Sequence, residues 1–419
     1  MVALTLLCAC RVNYDLVGTA DGSTADGSMP DGSMPDGSMP DGSMPDGSMP
    51  DGSMPDGSMV DGSTPDGSMA DGSTADWWHT DWQSRTRITF NNTNSAEDLI
   101  NFPVLVSLAA ADVDFSHIEA GGADVRFVDG DGTLLNHEIE SWDDTPGSES
   151  ANIWVRAPQV DGSSSTDFIW MYYNNPTASD AQNPAGVWDA NYAGVWHLEE
   201  QGGATHDDST GAHDGTRGDN VYYAGEGRDA QTFDGASDYV SIADHPDLSF
   251  GNGGSDSAFS VSAWIKGETN AGAIIAKEDA AAEWDLFLHS DGRLGLELYD
   301  AEADYIGQET TVTASGAWQH VVATYDGRGT SAGIELYIDG DAQTLNLDEF
   351  GPYGGMPDSN ADVSIGVYAR GGNVYDFDGQ IDEARISSGV RSADWIEACF
   401  LSQNGTFGFN TFGSEELRP

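Results

Sequence analysis

The sequence predicts an all-β protein, with two antiparallel β-sandwiches carried behind a disordered low-complexity linker. Three observations lead there. Apolar and polar residues alternate with a period of two through most of the chain after residue 76. Clusters of Gly, Asp, Asn and Pro punctuate those runs at short intervals. Residues 21–75 instead repeat one five-residue unit that has no apolar face to bury.

The chain begins MVALTLLCAC, a short apolar run ending in Leu7-Cys8-Ala9-Cys10. Residues 1–20 resemble a bacterial lipoprotein signal, in which a small residue precedes the cysteine that is lipidated. Cys10, preceded by Ala9, fits that place, although no Lys or Arg comes before the apolar run. The resemblance implies an exported protein, at the outer membrane, at the cell surface or outside the cell, that touches the membrane only through a lipid anchor. No other stretch approaches the roughly 18 apolar residues of a membrane span.

From Asp21 to Ala75 the unit Asp-Gly-Ser-Met/Thr-Pro/Ala/Val recurs eleven times. Gly in every unit and Pro in seven of the eleven oppose helices and ladders, and no core offsets the entropy of ordering them. The segment reads as a spacer between a coil of about 40 Å and an extended ~170 Å. Calcium binding by the repeat is disfavoured, because its carboxylates stand five residues apart with no folded loop to gather them.

Composition narrows the partners. The chain has 71 acidic residues against 15 Lys and Arg, a formal charge of −56. Such a surface repels nucleic acid and anionic head groups, so neither is an expected partner. The 3 cysteines, Cys8, Cys10 and Cys399, make no disulfide framework.

Residues 76–190 form the first predicted sandwich. Its strands are RTRITF, FPVLVSL, ADVRFVD, ANIWVRAP and TDFIWMYYNN, with turn residues between them. VDGDGTLLNHE has the look of an EF-hand loop, but its glycine is fourth and the third acid is missing. A hairpin through the Asp-Gly turn is the better reading. The landmarks WWHTDWQSRTRITFNN, FPVLVSL, ADVRFVDGDGTLLNHEIESWD, IWVRAPQV and MYYNNP resemble a bacterial domain of unknown function. That domain occurs in secreted and envelope proteins and brings no activity with it.

Residues 191–402 form the second. In FSVSAWI, Phe259, Val261, Ala263 and Ile265 share one face and Trp264 takes the other. In IELYIDG, Ile334, Leu336 and Ile338 oppose Glu335 and Tyr337. Asp-Gly turns are expected at 291–292 and 339–340. Ser392 can cap a short helix whose Trp395, Ile396, Cys399 and Phe400 make one apolar stripe, with Cys399 in the core. Residues 403–419 read as a frayed tail.

The series from GVWHLEE through SDYVSIADHPDL, FSVSAWIKG, AWQHVVATYDG, IELYIDGD and FDGQIDEARIS resembles the LamG-like, concanavalin A-type jelly roll. The resemblance implies a non-catalytic module that binds extracellular glycan or a surface protein. A structural envelope or adhesion component without a small ligand is the alternative, and a polysaccharide-degrading enzyme a more distant one. No catalytic residues are assigned. Glucanase relatives carry Glu-x-Asp-x-x-Glu on one strand, with carboxylates about 5–5.5 Å apart. EIESWDD, EADYIGQE and FDGQIDE all lack that spacing.

Three residues are singled out as sites. Asp382 alternates with Ala384 and Ile386, which turns it toward the core, where a carboxylate needs hydrogen bonds or an ion. Related jelly rolls sometimes hold a structural calcium near this strand, which makes Asp382 the expected metal ligand. Trp264 and Tyr337 are the expected ligand-binding residues, because outward rings stack on sugars. Tyr353, Tyr368 and Tyr375 fall in or near loops. HDDSTGAHD (206–214) gathers two His and three Asp. It reads as a variable polar loop, with a metal site as the alternative.

Overall fold

The computed structural model describes residues 77–225, 228–267, 272–278, 282–370, 373–405 and 408–419. Cys10 and the pentapeptide repeat lie outside the described residues. From residue 77 onward the chain builds two antiparallel sandwiches, as the alternation predicts.

The first sandwich packs a six-stranded sheet on a three-stranded one. The larger sheet is centred on Ser84–Phe90 and Phe168–Tyr173, and the smaller contains Leu99–Ala109, Ser150–Val160 and His137–Asp143. Ile88, Phe90, Val104, Val106, Ile153 and Val155 alternate inward to fill the core. The EF-hand-like stretch is a hairpin joining Arg126–Asp129 to Leu134–Leu135, with Gly132 at φ +91 in its turn.

The second sandwich packs a nine-stranded sheet on an eight-stranded one. Phe259, Val261, Ala263 and Ile265 point into its core, as do Ile334, Leu336 and Ile338. Asp339 and Gly340 both have positive φ, at +53 and +83, as a two-residue hairpin of the I′ type requires. At the edge, Gly366 (φ +84) lies where a Cβ would come 2.1 Å from the Phe233 ring. There the chain leaves the sheet and forms a separate hairpin of Val367–Arg370 and Asn373–Asp376.

The C-terminal segment departs from the expectation of a frayed tail. Helix Ala393–Asn404 is capped by Ser392, whose hydroxyl accepts the Trp395 amide at 3.1 Å, and it ends at Gly405 with φ +68. Its apolar residues do not form one stripe; they divide between two contacts. Trp395, Ala398 and Cys399 enter the core of the first sandwich, while Ile396 packs on Val322 and Tyr337 of the second. Strands Asn410–Phe412 and Glu416–Leu417 then pair with Ser84–Phe90, and Arg85 is bonded to Glu416 at 2.7 Å. A three-residue strand is too short to carry a periodic signal, which is why the sequence reads as a tail. Cys399 is buried, and burial pushes its thiol up to about 11.

Candidate functional site

A groove of about 630 Å³ lies on the outer face of the nine-stranded sheet. Strands Tyr239–Ile242 and Val363–Ile365 pair with Ser241 opposite Ser364. Val240, Ile242, Val363 and Ile365 fill the core, so alternation turns Tyr239, Ser241 and Ser364 outward. The hairpin beyond Gly366 forms the other wall. There Tyr368 faces Tyr375 across the ladder, with ring centroids 4.5 Å apart and planes at 21°. Tyr239 is 41% exposed and Val374 is 58% exposed, so the wall offers apolar surface to solvent.

The remaining lining adds the hydroxyl of Ser237, the amide of Asn360 and the carboxylates of Glu278, Asp362 and Asp376, with Ala236 and Val367 beside them. Asp362 is braced by the Ser241 hydroxyl and the Asp244 amide, each at 3.0 Å. Burial raises the Asp376 carboxyl above its ordinary value, and Asp234 adds to the rise. Tyr368 is also raised, first by burial and then by the carboxylates of Asp285, Glu278 and Glu297. Asp285 stands directly opposite Glu297 on the neighbouring strand, so the groove adjoins a row of acids.

The residues expected to form a site lie elsewhere. Trp264 and Tyr337 are on the outer face of the other sheet, where alternation places them, but they are only 3% and 7% exposed. The C-terminal helix covers them. Trp264 stacks on Phe400 and donates through Nε1 to Gln403 Oε1 at 2.9 Å, and Tyr337 packs against Ile396. Neither ring is open to a sugar.

Asp382 also departs from expectation, and one residue accounts for it. Ser262 pairs with Arg385 and Trp264 with Asp382, so the strand carries one extra residue between them. Glu383, at φ +53, makes that bulge. Parity therefore flips, and Asp382 faces outward beside Trp264 while Ala384 and Ile386 stay in the core. Its Oδ2 accepts from Arg228 Nη1 at 2.7 Å, and the same guanidinium lies 4.0 Å from the Trp264 ring centre. Arginine supplies the compensation that a buried carboxylate needs. A calcium ion takes six to eight oxygens, and a carboxylate already holding a guanidinium does not fit that role.

The bulge assembles a second constellation between the sandwiches. His197 Nδ1 lies 2.6 Å from Glu383 Oε1, and its Nε2 is 3.4 Å from Glu138 of the first sandwich. Glu138 also accepts from Ser209 at 2.6 Å and from Trp188 Nε1 at 3.0 Å. Arg385 pairs with Glu383 and lies over Trp154 and Trp188 at 4.5 and 4.9 Å. Burial alone would lower the histidine value, but the two carboxylates outweigh it and raise it well above 6.5. The ring lies between two acids that favour its protonated form. Nearby, burial and the Glu383 charge push Glu140 up to about 8.

Two parts of the chain match known families. Residues 233–397 match the concanavalin A-like lectin/glucanases superfamily. Residues 121–216 match a domain of unknown function, DUF2341, a segment that runs from the first sandwich into the second. No curated protein matches the chain. Among solved structures, the binding domain of Paraclostridial mosquitocidal protein 1 is 15% identical at a TM-score of 0.39, over 51% of this chain and 52% of that one. The botulinum neurotoxin serotype D ligand-binding domain, in complex with N-acetylneuraminic acid, is 16% identical at 0.37, over 52% and 51%. Domain 4 of an arabinanase from Geobacillus stearothermophilus, in complex with arabinotriose, is 22% identical at 0.38, over 50% and 98%. The chain thus spans about half the length of the toxin domains it matches.

The segment that matches the concanavalin A-like superfamily contains all of the groove. Tyr368 and Tyr375 fall near loops in the sequence, and no local pattern joins them to Tyr239, which is more than a hundred residues away in the chain. The usable signal was Gly366, a glycine closing a strand before a Tyr-bearing hairpin. Chemically, the groove combines flat apolar rings with hydroxyl and carboxylate acceptors, which suits a hydroxyl-rich ligand without negative charge.

Proposed function

We propose that the protein is an exported, non-catalytic binding module whose groove takes a neutral, hydroxyl-rich glycan. The observation that carries this reading is the pairing of exposed Tyr239 with the Tyr368–Tyr375 stack, beside Ser241, Asp362 and Asp376. Aromatic faces stack on the apolar faces of pyranose rings, and fixed carboxylates accept their hydroxyls. An anionic sugar would meet Glu278, Asp362 and Asp376 at short range and be repelled. The match to a superfamily that includes lectins supports a binding role. Among the described residues no helix is long and apolar enough to cross a membrane. On this reading a lipid at Cys10 anchors the chain.

The test is a binding panel with the full chain against neutral, cationic and anionic polysaccharides. Retention of one or more neutral glycans and none of the anionic ones is expected. Silence across the panel would favour an envelope or adhesion component without a small ligand. Turnover of any polysaccharide would overturn the non-catalytic reading. Mass spectrometry of the mature N-terminus checks the anchor, and an unmodified Cys10 would refute it.

A further inference from the structure

The stretch HDDSTGAHD is more ordered than a variable polar loop needs to be. Asp208 is its hub. One carboxylate oxygen accepts the amides of Val195 and Thr210, at 2.9 and 3.0 Å. The other accepts the Thr210 hydroxyl at 2.5 Å and the amides of Ala212 and His213 at 3.2 and 2.9 Å. The carbonyl of His213 in turn accepts Trp196 Nε1 at 2.9 Å. Both backbone polar groups of His213 are therefore fixed from the core side.

The side chain so positioned lacks a hydrogen-bond partner. The His213 side chain is only 7% exposed, and its Nε2 is buried without a hydrogen bond among the described residues. A buried polar atom without a partner costs about 1–3 kcal/mol. What it faces is a second histidine and a carboxylate from a different loop. The His245 ring lies 4.6 Å away, and Asp247 Oδ2 is 3.9 Å from His213 Nε2 and 3.3 Å from His245 Nδ1. That Nδ1 also accepts a long bond of 3.3 Å from the Asp247 amide, which a metal ion at this nitrogen would displace. His206, the other histidine of the stretch, is occupied elsewhere, by Glu200 at 2.5 Å and Asn220 at 3.0 Å.

We propose that His213, His245 and Asp247 form a site for a divalent transition-metal ion of the zinc class. With metal–ligand bonds of about 2.0–2.1 Å, tetrahedral neighbours stand about 3.3–3.4 Å apart. The two measured separations to Asp247 bracket that value with little movement of exposed side chains. Two imidazoles and one carboxylate favour zinc and its neighbours over calcium or magnesium, which take oxygen. Two other His–carboxylate groups occur among the described residues, at His289, Glu309 and Asp348 and at Glu140, His197 and Glu383. In each of these an arginine already holds a carboxylate, Arg293 on Glu309 and Arg385 on Glu383. At His213, His245 and Asp247 no Lys or Arg is paired among the described residues. His245 and Asp247 are 48% and 65% exposed, so water can complete the coordination. The ion would staple the loop at 206–214 to the turn at Pro246–Leu248, whose Leu248 is in the core.

The test uses the full chain, stripped with a chelator and titrated with zinc chloride, cobalt chloride or calcium chloride alone. One equivalent of zinc is expected to bind and raise the melting temperature, with cobalt giving the visible absorption of a tetrahedral site and calcium giving neither. His245→Ala and Asp247→Asn change exposed side chains and leave the fold intact; each should weaken zinc at least about tenfold. Absence of zinc binding, or the same zinc affinity and stoichiometry in the double variant, would overturn the site.

Discussion

His197 Nδ1 lies 2.6 Å from Glu383 Oε1, and this contact exists because Glu383 is the extra residue of a β-bulge. The same ring reaches Glu138 in the other sandwich at 3.4 Å. The joint between the sandwiches is thus a titratable one, and its pH dependence can be derived. His197 binds its proton more tightly folded than unfolded. Its contribution is therefore complete below about pH 6.5, the unfolded value, and is lost as pH rises through the higher folded value.

Glu140 acts in the same direction. The fold favours its neutral form, with a value of about 8 against 4.5 for the free group, so stability falls as pH climbs between them. Glu383 is depressed by His197 and Arg385, so its contribution is present above the ordinary carboxylate range and fades on acidification. Melting temperature should decline from about pH 4.5 upward, more steeply above about 6.5 where His197 joins, and Glu140→Gln should flatten the part of the slope below about 8. A profile that rises through this interval, or is unchanged by Glu140→Gln, contradicts the joint.

Trp264 is a packing residue in this structure. Trp264→Ala removes a buried ring held by Phe400, Arg228 and Gln403 and should cost about 3–5 kcal/mol in urea unfolding. Glycan binding measured at a temperature where the variant stays folded should not change. A variant of native stability that lost glycan binding would restore Trp264 as a ligand contact.

The last strands belong to the first sandwich. Deleting residues 408–419 keeps the helix and its Gly405 cap but removes Phe409 from the core and two strands from the edge of Ser84–Phe90. Loss of Phe409 alone should cost about 1.5–3 kcal/mol. Limited proteolysis should then cut within the first sandwich sooner than in the full chain. Equal resistance would mean that the segment is a dispensable tail.

Local patterns in the sequence were legible, and contacts between distant segments were not. Alternation in FSVSAWI and IELYIDG is a local property of the strand, and the core residues it marked are in the core. The Asp-Gly turn at 339–340 was readable because only certain residues tolerate positive φ at both positions. Asp382 was misplaced because counting by two fails at a bulge, and a glutamate at φ +53 gives no compositional sign of one. Trp264 and Tyr337 were assigned to the correct face but not to its cover, since a helix more than fifty residues away supplies it. The groove and the His213 cluster share that cause: their members are far apart in sequence and meet only through sheet order.

Isothermal titration of the double variant Tyr239→Ala, Tyr368→Ala reports whether the tyrosine groove holds a neutral glycan. Against the tightest ligand from the panel, an affinity loss of about 5- to 150-fold is expected, given about 0.5–1.5 kcal/mol for each of the two stacking rings. The circular dichroism spectrum should stay native. Undiminished affinity in the folded double variant would contradict the account and place the ligand elsewhere on the protein.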